Sequence, residues 1–259
     1  MRSVGIAVLF GLVLLAGSGG RTPLRAQQSP SASVFQLYVI TGSFTGNQTV
    51  YYAVTQGTGF FISADGTALT NSHVVYPARL QPITYQIIAL VNGEFYGASV
   101  VCASELPDDP MKAHPRGVET SRDVAEIRLT RPQFPFSQFG ANNTSYAVAH
   151  VGALPEFPAL ELGANPNVGD AVRVLGYGRI SSSVPYAWST QGTVSRILPA
   201  ADGTPLLAIR FGRGVEPGDS GAPVLNSLDQ AVGILSWMDP SDHTLGYGIS
   251  RVALNPACQ

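Results

Sequence analysis

The sequence predicts an all-β protein with about six short strands in each half, arranged as two β-barrels or sandwiches. Three observations carry that expectation. Hydrophobic residues make up 45% of the 259 residues and charged residues only 12%, with 28 glycines and 19 prolines. That balance fits turn-rich β structure and neither a helical bundle nor a disordered chain. Short apolar runs recur between turn signals, with hardly any helical periodicity. A proline-rich stretch, 132–166, separates two halves of similar build.

The elements follow in order. Residues 34–40 and 49–55 read as strands, then 59–63, the turn Ala64-Asp65-Gly66-Thr67, and 68–70. Asp-Gly supplies the positive φ that such a turn needs. Residues 83–91 and 94–102 form a second hairpin around Asn92-Gly93. The stretch 106–122 is rich in Pro, Asp and Gly and reads as a loop, and 124–129 as a strand. The second half resumes with strands at 171–176, 192–198, 206–211, 222–225, 231–237 and 247–252. A short C-terminal helix is only weakly signalled, because Pro256 lies within it. The length is ample for a sizeable core, and no short internal repeat is visible. A net charge of -2 without a basic block gives no reason to expect a nucleic-acid partner.

Arg2 followed by the apolar run 4–16 and the small, polar stretch 17–20 has the form of a signal peptide. The run is shorter than the roughly 20 residues a transmembrane helix needs, although an uncleaved anchor is the competing reading. Cleavage after Ala26 or nearer Ser18 are both compatible with the residues. The expected organisation is therefore a signal peptide at 1–26, an N-terminal barrel at 27–145, and at 146–259 the linker, the C-terminal barrel and a tail. The mature chain is expected to be exported, without stable membrane association. Export permits a disulfide between the two cysteines, Cys102 and Cys258; two separate thiols are the other reading. Two cysteines and four scattered histidines argue against a zinc site, and no metal or cofactor is expected. Asn47, Asn142 and Asn143 begin glycosylation sequons.

Three short motifs carry chemistry. In Pro217-Gly218-Asp219-Ser220-Gly221-Ala222-Pro223, glycines on both sides of a serine let the backbone turn sharply. They also let amide groups converge where a substrate carbonyl would sit, with Gly218 and Ser220 as the donors. By itself the tetrapeptide also fits a turn that merely joins two strands. In Thr70-Asn71-Ser72-His73-Val74-Val75, a histidine stands at the end of an apolar strand. Histidine titrates near neutral pH and is the natural base for a serine. His114, His150 and His243 have weaker settings, in a Pro-rich loop, the linker and a polar turn. In Arg122-Asp123-Val124-Ala125, an acid opens an alternating strand, where it can be buried beside an imidazole. Asp108 and Asp109 are rivals, but no apolar strand follows them. The order His, Asp, Ser, with the linker before the third, differs from the orders used by subtilisins and α/β-hydrolases.

These motifs resemble the trypsin-like serine peptidases. Gly57-Thr58-Gly59-Phe60-Phe61-Ile62-Ser63 through Val75 is similar to bacterial members, including the high-temperature-requirement proteases. Gly218-Asp219-Ser220-Gly221-Ala222-Pro223-Val224 resembles the family's nucleophile motif, and Gly233-Ile234-Leu235-Ser236-Trp237 the strand beside its substrate cleft. The resemblance spans about 34–254 in islands. It implies two six-stranded antiparallel β-barrels with the active site in the cleft between them. It also implies His73 as general base, Asp123 as its orienting acid, Ser220 as nucleophile, and an oxyanion hole from Gly218 and Ser220. Ser236 would lie near Asp123, and its neighbours would pair with a peptide substrate.

Departures refine this picture. No start of the kind that animal zymogens expose on activation is present, so Asp219 must be satisfied otherwise. At the floor of the specificity pocket stand Gly214 and Val215, which disfavours Arg or Lys, with Glu216 on the rim. Met238, after Trp237, narrows the pocket toward small or medium apolar side chains. The chain ends soon after this region, so no peptide-binding regulatory module is expected. The activity implied is that of a secreted endopeptidase acting on protein or peptide. A catalytically silent binding protein, or an esterase on the same fold, would share the triad.

Overall fold

The computed structural model describes residues 29–45, 48–105, 122–132, 148–178, 187–200, 203–251 and 254. The signal-like segment, the three sequon asparagines, Asp108, Asp109, His114, Cys258 and the stretch suggested for a C-terminal helix lie outside them. After a 3-10 turn at Pro30–Ser33, the strands of the first half are β1 (Val34–Thr45), β2 (Gln48–Phe61), β3 (Thr67–Thr70), β4 (Tyr85–Val91), β5 (Glu94–Ala103) and β6 (Ala125–Thr130), with β7 (Val148–Ala149) after them. The second half holds β8 (Ala171–Gly176), β9 (Trp188–Pro199), β10 (Pro205–Phe211), β11 (Pro223–Leu225), β12 (Ala231–Met238) and β13 (Leu245–Ser250). One helix, α1 (Ser72–Leu80), follows β3.

Each half closes. The first runs β4-β1-β2-β3-β6-β5 and returns from β5 to β4; β7 lies parallel against β5 outside this ring. The second is a closed barrel of order β10-β13-β12-β11-β8-β9. The expected pair of six-stranded antiparallel barrels is what the chain forms. Alternation explains the first barrel's interior: Ala125, Ile127 and Leu129 of β6 point inward, while Glu126 and Arg128 point away. Asn92 (φ 49°) and Gly93 (φ 84°) both take left-handed conformations between Val91 and its partner Glu94, the two-residue hairpin turn that the dipeptide predicts.

Two local readings change. The runs at 49–55 and 59–63 belong largely to one long strand, β2, paired with β1 across a bulge beside Val39. The residues after Thr70 form a helix, so His73 lies in a first helical turn and not at a strand end. Val74, Val75 and Ala78 give that helix its buried face. Two β-branched residues and an internal Pro77 over nine residues hide the helical pattern from a periodicity argument.

The barrels meet over a shared apolar core. Val34, Phe60, Leu69 and Val124 of the first pack in one cluster with Leu175, Leu206, Ile234, Trp237 and Ile249 of the second. Each fully buried side chain of that size contributes roughly 1.5–3 kcal/mol. The connection between the halves is pinned where it is described. Phe157 stacks on Phe61 inside the first barrel, and Leu162 bridges to Ala231 of the second.

His150 fastens the start of that connection. Its Nδ1 lies 2.8 Å from Glu94 Oε2 and its Nε2 lies 2.8 Å from the Ala153 carbonyl oxygen. Both partners only accept, so the ring satisfies both contacts when it carries both protons. The Ala153 carbonyl, and then Glu94, hold its pKa above 6.5, while His150 and Tyr96 hold Glu94 below 4.5. The histidine's contribution is complete below its unfolded value and lost as pH rises through its raised one. That of the glutamate is present above its unfolded value and lost in acid. Thermal unfolding of wild type and His150→Gln should therefore differ most between about pH 4.5 and 6.5. The difference should shrink as pH rises further; a gap that is flat from acid to alkaline pH would contradict this account.

Candidate active site

β3 ends at Thr70, Asn71 is extended (φ −82°, ψ 148°), and α1 begins. This junction delivers His73 to Asp123, which immediately precedes Val124 and β6. His73 Nδ1 lies 2.7 Å from Asp123 Oδ2, and the His73 backbone N–H donates to Oδ1 at 3.0 Å. Ser236 of β12 donates its hydroxyl to Asp123 Oδ2 from the other barrel. Asp123 is 1% exposed. Burial works against its charge, but His73, through its ring and N–H, and the Ser236 hydroxyl hold the carboxyl at about 2. A charged carboxylate thus backs the imidazole and fixes its Nδ1 as a donor.

Two further groups hold Asp123. Asn71 does not cap α1 with its side chain; its Nδ2 donates instead to the Asp123 carbonyl at 2.7 Å. Ser104 ties the next residue, accepting the Val124 N–H at 2.9 Å. The Ser104 carbonyl in turn accepts the hydroxyl of Ser72, the neighbour of His73.

Ser220 comes from the loop between β10 and β11. Gly218 (φ 105°) and Gly221 (φ 89°) both take left-handed conformations. A Cβ at Gly221 would lie 2.1 Å from the Thr58 carbonyl oxygen, and one at Gly218 would lie 2.6 Å from that of Tyr177. The turn therefore requires glycine at both places. Ser220 Oγ donates to the Ser236 carbonyl at 3.1 Å. No group among the described residues accepts the backbone N–H of Gly218 or of Ser220.

His73 and Ser220 line one cavity of about 190 Å³, walled by Val215, Leu235, Trp237 and Met238 and bordered by Glu216, Asp219 and Ser236. Gly214 lies in a smaller neighbouring cavity with Arg213 and Trp188; Glu216 and Asp219 border both. Trp237 is stacked on Tyr247 at 5.3 Å, which fixes one wall. A larger cavity, about 590 Å³, lies between α1, β4 and β5 and contains neither His73 nor Ser220. Among the described residues no cluster of His, Cys, Asp or Glu is arranged to hold a metal ion.

Residues 57–234 match the model of the trypsin-like peptidase domain. The chain belongs to that family. It is 24% identical over 199 residues to HhoB of Synechocystis sp., named as a serine protease, covering 74% of this chain and 37% of that one. It is 25% identical over 186 residues to a DegP-like protein of Chlamydia trachomatis named as a periplasmic serine endoprotease, covering 69% and 27%. The chain thus spans between about a quarter and little more than a third of the length of these relatives. The crystal structure of Deg5 superposes with a TM-score of 0.56 at 16% identity, over 87% of each chain, and shows the same fold.

The structure brings His73, Asp123, Ser220 and Ser236 together. Asn71, Ser104 and Thr58, which hold them, carry no motif of their own, because their contacts cross between elements distant in the chain.

Asp219 is buried, with its Oδ1 packed against Gly176 and Gly178. Burial pushes its carboxyl up to about 6, offset in part by the backbone N–H groups of Glu216, which donates to Oδ2 at 2.9 Å, and of Gly178. A raised folded value favours the neutral form. Its stabilising contribution is complete below the unfolded value of 3.8 and lost as pH rises through about 6. Asp219→Asn, which cannot ionise, should gain a few degrees in Tm relative to wild type as pH rises from about 4 to 8. A Tm difference independent of pH would show that Asp219 is not buried with a raised value.

Proposed function

We propose that the protein is a serine endopeptidase that cleaves peptide bonds through an acyl-enzyme. The observation that carries this reading is the His73–Asp123 pair, buried at its carboxylate end and opening on the cavity that Ser220 lines. The family supports it, with relatives named as serine proteases.

In the reaction the Ser220 hydroxyl leaves the Ser236 carbonyl, gives its proton to His73 Nε2 and attacks the scissile carbonyl carbon. The oxyanion is received by the N–H groups of Gly218 and Ser220. His73 then protonates the leaving amine. Water, deprotonated by His73, cleaves the ester and restores Ser220. Asp123 keeps its charge throughout and stabilises the imidazolium. Substrate lies along Ser236, Trp237 and Met238 as an added strand. Val215, Leu235, Trp237 and Met238 surround its side chain and suit a small or medium apolar group over Arg or Lys. Gly214 shapes the adjoining recess.

The chain acts on protein or peptide outside the cytoplasm. A signal peptide at 1–26, a first barrel within 27–145 and a linker, second barrel and tail within 146–259 make up its organisation. Among the described residues no helix is long and apolar enough to cross a membrane. A disulfide between Cys102 and Cys258 belongs to the same reading, since export permits one.

Ser220→Ala should leave the fold intact and lower peptide hydrolysis by roughly a million-fold. Asp123→Asn should lower it by about ten-thousandfold, through the wrong imidazole tautomer. A phosphonofluoridate should label Ser220 of the folded protein, as read by peptide mass mapping. If folded protein neither labels at Ser220 nor cleaves a peptide library, the endopeptidase reading is lost.

A further inference from the structure

We propose that Thr58 is a positioning residue that sets the oxyanion loop from the opposite barrel, an assignment that rests on the endopeptidase reading. Thr58 lies in β2 of the first barrel and is fully buried. Its Oγ1 donates to the Gly218 carbonyl at 2.8 Å and accepts the Tyr177 N–H at 2.9 Å. Its backbone N–H donates to the Ser220 carbonyl at 2.8 Å. One residue thereby holds the carbonyls on both sides of Asp219-Ser220.

The carbonyl between them, that of Asp219, accepts the Ala222 N–H at 2.9 Å. Three consecutive peptide planes are thus fixed by their oxygens, two of them by Thr58. The two planes that Thr58 holds carry the N–H groups of Asp219 and Gly221, and each directly follows the plane that carries an oxyanion N–H, that of Gly218 or of Ser220, so the hold limits how either can turn. A glycine at φ 105° has many other conformations open to it. Among the described residues, the hydroxyl of Thr58 is the only group that holds the Gly218 oxygen.

The same strand also registers the base. Thr55 Oγ1 donates to the Val74 carbonyl at 2.7 Å, on the helix that carries His73, and Thr70 Oγ1 donates to the Thr58 carbonyl at 2.7 Å. Residues 55–58 therefore touch the mount of the base on one side and the mount of the nucleophile on the other.

The test compares Thr58→Val, which keeps the shape and removes the hydroxyl, with Thr58→Ser, which keeps the hydroxyl. On a cleavable peptide, Thr58→Val should lower kcat by roughly ten- to a hundred-fold, up to the loss caused by removing one oxyanion donor, with KM within about twofold. Affinity for a peptide aldehyde, whose adduct carries the oxyanion, should fall in parallel. Thr58→Ser should recover most of the loss. Should Thr58→Val not fold, Thr58→Ala takes its place. A wild-type kcat in the hydroxyl-free variant overturns the proposal, as does an equal loss in Thr58→Ser. Amide exchange at Asp219 and Gly221, whose N–H groups donate to the Glu216 and Leu235 carbonyls, reads the loop by NMR without catalysis. Faster exchange in Thr58→Val supports the hold even if wild type fails to label at Ser220, the result that defeats the endopeptidase reading alone. Unchanged exchange removes the hold whatever the activity.

Discussion

An ionised carboxylate buried at the meeting of two barrels is the constraint on which the site depends. Asp123 loses nearly all its water on folding, a loss that is tolerable only if every lone pair facing inward is used. Its donors come from both halves: the ring and N–H of His73 from the first, the hydroxyl of Ser236 from the second. Separating the barrels, or turning one against the other, would strip part of that shell from a charge with no other compensation. Removing one partner from a buried pair typically costs about 3–5 kcal/mol. The carboxylate therefore reports on the docking of the barrels. The apolar seam of Phe60, Leu69, Ile234 and Trp237 supplies the attraction, and the polar contacts select the register.

A second buried carboxylate lies in the same region and behaves oppositely. Asp219 is the neighbour of Ser220, the proposed nucleophile, yet burial carries its pKa up, and the adjacent Glu216 raises it further. The two acids differ in their partners and not in their depth. Asp123 faces an imidazole that can carry positive charge and two further donors; Asp219 has only neutral backbone N–H groups, of Glu216 and Gly178.

The parts legible in the sequence are those fixed by local chemistry. Asn92-Gly93 had to turn because few other dipeptides accept two left-handed conformations. Gly218 and Gly221 flank Ser220 because a Cβ at either would strike a backbone oxygen. Alternation in 125–130 was visible because that strand has one apolar face. The helix at His73 was hidden by Pro77 and two valines. The roles of Asn71, Ser104 and Thr58 were hidden for a different reason. Each acts through a hydrogen bond to a residue between 20 and 160 positions away, and nothing in a hydroxyl or amide side chain says which carbonyl it will meet.

This separates two kinds of information in the site. The reacting groups are few, chemically distinctive and set in motifs, so their identities can be argued from residue type and order. Their geometry is held by ordinary polar residues whose partners exist only after both barrels close. Thr58 belongs to the second kind: a threonine between two glycines in a strand carries no chemical signal until Gly218 and Tyr177 are brought to it. Its neighbours in β2 reach the helix of His73, so the spacing between base and nucleophile is set by one strand that contains neither. A substitution in that strand can then alter turnover while leaving His73, Asp123 and Ser220 untouched.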